Sequence, residues 1–136
     1  MKSILLTALF SLISFSAFAQ HRVLEKTYKT LFTCEEDDGD TWTEVGLVKT
    51  AGTPSGYNLL VVKHIENSKK LVFNKPAILI KQSPLVQEYQ DSGSIVKLSI
   101  ARATSQYVGR FSMLADGPNS VSNLRVNCFY SSEISY

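Results

Sequence analysis

Cysteine and histidine are scarce in this chain, and their scarcity removes classes of protein. Two cysteines in 136 residues cannot build a multiply bridged scaffold. Together with two histidines that show no ligand spacing, they do not spell a zinc site. There is no G-x-S-x-G nucleophile elbow and no glycine-rich phosphate loop. Four prolines and seven glycines suffice for turns but nowhere gather into a linker. No internal repeat is present. Neither sign of charge dominates: fourteen Lys and Arg stand against twelve Asp and Glu. No basic stripe is interleaved with aromatics, so nucleic acid is not an expected partner. The sequence excludes more than it names, and no motif in it assigns an activity or a cofactor.

The N-terminus is read as an export signal. Lys2 supplies the positive start, residues 4–15 an apolar stretch, and Ala17-Phe18-Ala19 a small-residue cleavage box. The expected mature chain is 20–136, a single β-rich domain with a net charge of about +1. The apolar stretch is short and serine-rich for a membrane span, and no later run is long and apolar enough for a spanning helix. The expected destination is a periplasm or the extracellular space. The product is expected to be a monomer that meets another protein or an envelope component.

In an exported chain, Cys34 and Cys128 are expected to pair. Leu124, Val126, Cys128 and Tyr130 fall on one face of a strand, with Asn123, Arg125 and Asn127 opposite and Phe129 as the exception. Tyr28, Thr30, Phe32 and Cys34 fall on one face of a strand over residues 26–34. Two inward cysteines on the terminal strands would close or staple a sheet. Closing a loop of about 90 residues is worth roughly 4–5 kcal/mol in the chain-entropy model.

Between these ends, short alternating runs recur every eight to twelve residues. Strands are expected at 41–50, 57–65, 71–73, 77–81, around 85–89, 94–103 and 107–114. The run 57–65 is apolar on both faces, as in a central strand. Asn74-Lys75-Pro76 is expected to separate two short strands, and Pro84 to mark an edge or a break. Gly109 is expected at a bend or bulge. The turn at 116–120 carries Asp, Gly, Pro, Asn and Ser. About eight strands of this kind make an all-β, mainly antiparallel sandwich or small barrel.

Four features could carry chemistry. Glu35, Glu36, Asp37, Asp38 and Asp40 crowd five carboxylates into six residues. Glu35, Asp37, Asp38 and Asp40 could offer oxygens to calcium, but EF-hand spacing is absent and a solvated hairpin tip is the plainer reading. His64 precedes Glu66 by two residues, a spacing that shares a strand face and could serve general-base work. The plainer reading is a surface histidine at a strand end. Trp42 is either core or, if exposed, a platform for a sugar or protein. Tyr57, at the head of the most apolar run, is a further candidate for binding. Lys69, Lys70 and Lys75 guard a strand edge against pairing.

Two functions from different classes remain. The first is an exported, non-catalytic β domain that binds a protein, an envelope polymer or a small ligand, with inhibition of a secreted enzyme as one form. The second is a small hydrolase whose site is assembled in space around His64.

Overall fold

The computed structural model describes residues 25–37, 39–115, 117 and 120–136. The expected signal segment, His21, Asp38 and most of the 116–120 turn lie outside these residues. Nine strands are described: β1 (Thr27–Glu35), β2 (Thr41–Lys49), β3 (Tyr57–Ile65), β4 (Ser68–Gln82), β5 (Val86–Asp91), β6 (Val96–Ala103), β7 (Gln106–Met113), β8 (Val121–Tyr130) and β9 (Glu133–Ser135). Each of the first seven pairs antiparallel with the next, and β8 returns to β1. The sheet is therefore a closed eight-stranded up-and-down barrel with one extra strand, and not a sandwich. Closure leaves no terminal edge to the barrel sheet.

The alternation seen in the sequence becomes inside and outside. Val45 and Leu47, Leu59 and Val61, Val96, Leu98 and Ile100, and Phe111 and Met113 point inward with Phe32, Tyr89 and Val126. An eight-stranded barrel has an interior just wide enough for side chains to fill. Lys97 on β6 and Arg110 on β7 face outward. This polarity is the reverse of a lipid-facing barrel, whose apolar band lies outside.

Cys34 and Cys128 form a disulfide at directly opposed positions of β1 and β8. The expected bridge thus lies across the closing seam. Gly109 answers to that bridge. It sits in unbroken register opposite Val126, so no bulge occurs there. A Cβ on it would lie 2.8 Å from Cys128 Sγ and 2.8 Å from Val126 Cγ2. The glycine makes room for the sulfur.

Strand β1 bends where its register to β2 shifts between Thr30 and Thr33. The expected single face of Tyr28, Thr30, Phe32 and Cys34 is therefore split. Phe32 and Cys34 enter the barrel, while Tyr28 joins a second cluster on the outer wall. That cluster holds Val48, Leu60, Val62 and Ile134. It explains why β3 is apolar on both faces: β9, a strand too short to read from sequence, pairs with the start of β1. Gly46 lets it approach, since a Cβ there would meet Ile134 Cδ1 at 3.0 Å. Tyr28 and Tyr136 stack at 5.4 Å between ring centroids beside it.

Strand β4 corrects a further expectation. Residues 71–73 and 77–81 belong to one strand of 15 residues that runs through Pro76. Proline is tolerated because the ladder to β3 ends at Asn58 opposite Pro76. Pro84 does mark a break, in the loop between β4 and β5. At the opposite end of the barrel, Asp91 closes the β5–β6 turn. Its carboxylate accepts from the N–H groups of Gly93, Ile95 and Val96 at 2.7–3.0 Å.

Candidate functional site

Strands β2 and β3 place Trp42 directly opposite His64 on the outer wall. Their rings stack with centroids 3.6 Å apart and planes within 5°. Trp42 is half-buried and lies outside the barrel core; it packs on imidazole. His64 is only 8 % exposed, contrary to the surface position expected for it. The carboxylate beside it is also not the one expected. Glu66 sits in the β3–β4 turn with φ of 53°, exposed to solvent. Glu44, two residue pairs along the β2–β3 ladder and so on the same face, brings Oε2 to 3.6 Å from His64 Nε2.

Burial decides the charge of this pair. It pushes the Glu44 carboxyl up to about 7, with Glu35 adding to the rise and Lys69 opposing it. Burial likewise lowers the His64 imidazole below its usual value, with Lys69 adding to the fall and Glu25 opposing it. Near neutral pH a partly protonated carboxyl therefore faces a neutral ring, and a full ion pair does not form. His64 Nε2 is buried and accepts or donates no hydrogen bond among the described residues. Five surface depressions lie elsewhere on the described residues, and none of the five is lined by Trp42, Glu44 or His64. A base must reach the proton it takes. Here the reactive nitrogen is sealed beneath tryptophan.

The other end of the barrel offers more to a ligand. There β8 ends, the β6–β7 turn closes, and the β4–β5 loop crosses the rim. Tyr107 and Tyr130 stand between two adjoining depressions of about 560 Å³ and 350 Å³ and line both. Phe32 anchors the pair from within, edge-on to Tyr107 at 5.0 Å and to Tyr130 at 5.3 Å. Tyr130 is 60 % exposed, so it does not face inward as the alternation implied. It lies past the end of the closed wall, where inside and outside lose their meaning. Phe129 (49 %) and Leu85 (65 %) add exposed apolar surface. Polar groups surround it: Gln106 and Asn127 on the larger side, Gln87 and Arg102 on the smaller. Cys128 lines the larger depression, so the disulfide fixes one wall.

Sequence reading did not single out this rim. The one usable signal was Phe129, which breaks an otherwise polar strand face. Tyr57, which was singled out, lies elsewhere. It lines a separate depression of about 390 Å³ with Pro54, Ser55, Ile78, Leu79 and Tyr89. The acidic turn supplies a latch: Glu36 accepts from the Thr43 N–H at 3.2 Å through its carboxylate. Among the described residues, no three His, Cys, Asp or Glu side chains gather as a metal site would require.

These features define a disulfide-closed antiparallel barrel with an aromatic rim. Comparison with protein-family models, with curated proteins and with solved structures gave no match.

Proposed function

We propose that this protein is an exported, non-catalytic barrel that binds a glycan polymer of the cell envelope across its aromatic rim. The observation that carries this reading is the Tyr107–Tyr130 wall, exposed between two adjoining depressions and anchored through Phe32 and the neighbouring disulfide. Aromatic faces offer broad contact area while their hydroxyls remain wet, and amide and guanidinium groups beside them fix orientation by hydrogen bonding. The depressions are open and adjoin at the two tyrosines, which suits a chain lying across them better than a small ligand enclosed within the barrel. A disulfide accords with an oxidising compartment outside the cytoplasm.

The hydrolase reading rests on the closeness of Glu44 and His64. The buried Nε2 and the stacked Trp42 argue against it.

The test is a titration of the isotope-labelled mature protein with chitin-type and peptidoglycan-derived oligosaccharides, followed by NMR. Resonances of Tyr107, Asn127, Phe129 and Tyr130 should move together, and Tyr130→Ala should weaken binding roughly tenfold. Shifts confined to the Trp42–His64 wall, or none with any oligosaccharide, would overturn the proposal.

A further inference from the structure

The barrel wall is not evenly paired. Strand β4 runs 15 residues, but its two neighbours are shorter and meet it at different heights. The ladder to β3 covers β4 only as far as Pro76. The ladder to β5 begins at Ala77 and runs to Gln82. Ser55 Oγ donates to the Ala77 carbonyl and closes that position. From residue 78 to residue 82, the β3-facing edge of β4 has no backbone partner among the described residues. An uncovered edge is a ready template for another strand.

The side chains along this edge are unusual for one exposed to water. Ile78, Leu79 and Ile80 are all exposed, at 38–45 %. Beside them lies the depression of about 390 Å³ lined by Tyr57, Tyr89 and Pro54. It opens where β3 stops, and it is large enough to seat an apolar side chain. Lys75 and Lys81 flank the apolar run, both exposed and neither in an ion pair among the described residues. Glu88, opposite Lys81 on β5, is engaged by Lys97 at 3.8 Å.

We infer that the 78–82 edge of β4 is a strand-addition site for an extended peptide with alternating apolar residues and acidic flanks. Backbone hydrogen bonds would give such a peptide its affinity, and the Tyr57–Tyr89 depression its side-chain preference. The charge along this edge favours this occupant over a second copy of the chain. Antiparallel self-pairing along this edge would bring the exposed Lys75 and Lys81 of one copy towards those of the other. Like charges so placed oppose pairing, whereas acidic flanks would meet both lysines. This site is separate from the aromatic rim and does not depend on the glycan proposal.

The test uses the mature oxidised protein and a synthetic octapeptide with valine and threonine alternating at its centre and two acidic residues at each end. A version with lysines replacing the acids is the control. Amide hydrogen exchange read by NMR should slow at the amides within 78–82 that do not pair with β5 when the acidic peptide is present. Lys75→Glu combined with Lys81→Glu changes only exposed side chains and should leave the fold intact. It should weaken the acidic peptide at least about fivefold and favour the lysine peptide. Three results would overturn the inference: no protection at 78–82 with millimolar acidic peptide, equal binding of both peptides, or concentration-dependent protection in the absence of peptide, which would mean self-pairing.

Discussion

The β1–β8 contact and the β4 region are both seams of one barrel, yet they are built in opposite ways. At the first, the chain's two ends are directly paired, bridged by Cys34–Cys128 and backed by Phe32, Val126 and a glycine that accommodates the sulfur. At the second, one long strand is held by β3 over one half and by β5 over the other, and apolar side chains face water where the first ladder ends. A closed antiparallel barrel needs every strand paired on both sides, but not along its full length. The sealed seam is where a rigid recognition surface can stand. The staggered seam is where the wall can still accept a strand.

Breaking the sealed seam should have the largest effect. The bridge spans a sequence separation of 94. Replacing both cysteines by serine is expected to lower stability by about 4–5 kcal/mol in the chain-entropy model, measured by urea unfolding. A loss well under about 1 kcal/mol would mean that the β1–β8 ladder closes the barrel without help.

Next in size is Ile134→Ala. Ile134 is buried on the outer wall against Val48, Leu60 and Val62. Removing it should cost about 2–4 kcal/mol and expose the outer face of β3 to solvent. Gly109→Ala sharpens the seam itself. It should cost about 1–3 kcal/mol because Cβ meets sulfur and Val126. In the serine double variant the same change should cost less, since the sulfur is gone. Equal costs in the two backgrounds would show that Val126 alone excludes a side chain there.

The smallest effect is electrostatic and tests the buried pair on the β2–β3 wall. The Glu44 carboxyl is raised from 4.5 to about 7 in the folded protein. The native state therefore holds a proton between those values that the unfolded state has released. Stability from this group is full below pH 4.5 and falls as pH rises towards 7. His64, lowered from 6.5, acts in the other direction: its contribution is full above 6.5 and falls as the pH drops below it. Glu44→Gln removes the first loss and leaves the second. It should gain about 1 kcal/mol over the parent protein at pH 8 and little at pH 4, a figure discounted for the nearness of solvent. Thermal melts across pH 4–8 would check this; a gain independent of pH would point to hydrogen bonding instead.

How much of this was legible follows from where each signal resides. Strand existence is local, and alternation revealed β2, β3, β6 and the inward faces of Cys34 and Cys128. The apolar character of β3 on both faces was also legible, although its cause, β9, was not. Three residues are too few to carry a period. Pro76 was misleading because proline forbids a ladder bond only where a partner is present, and the end of β3 is a tertiary fact. The same reason separates Glu66 from Glu44. Sequence adjacency nominated the first, while the cross-strand register brought the second to His64 and buried both. The choice between sandwich and barrel turns on whether β8 pairs with β1, which no local period encodes. The aromatic rim was hidden because Tyr130 lies where the alternating pattern outruns the wall.

Site-resolved native-state hydrogen exchange on the oxidised protein compares the two seams most directly. Bonded amides of residues 32–35 and 127–130 should exchange only through global unfolding. The β3-facing amides within 78–82 should exchange faster than these by at least about a hundredfold. Uniform protection along β4, equal to that at the bridge, would contradict the account, because the wall would then have no open seam.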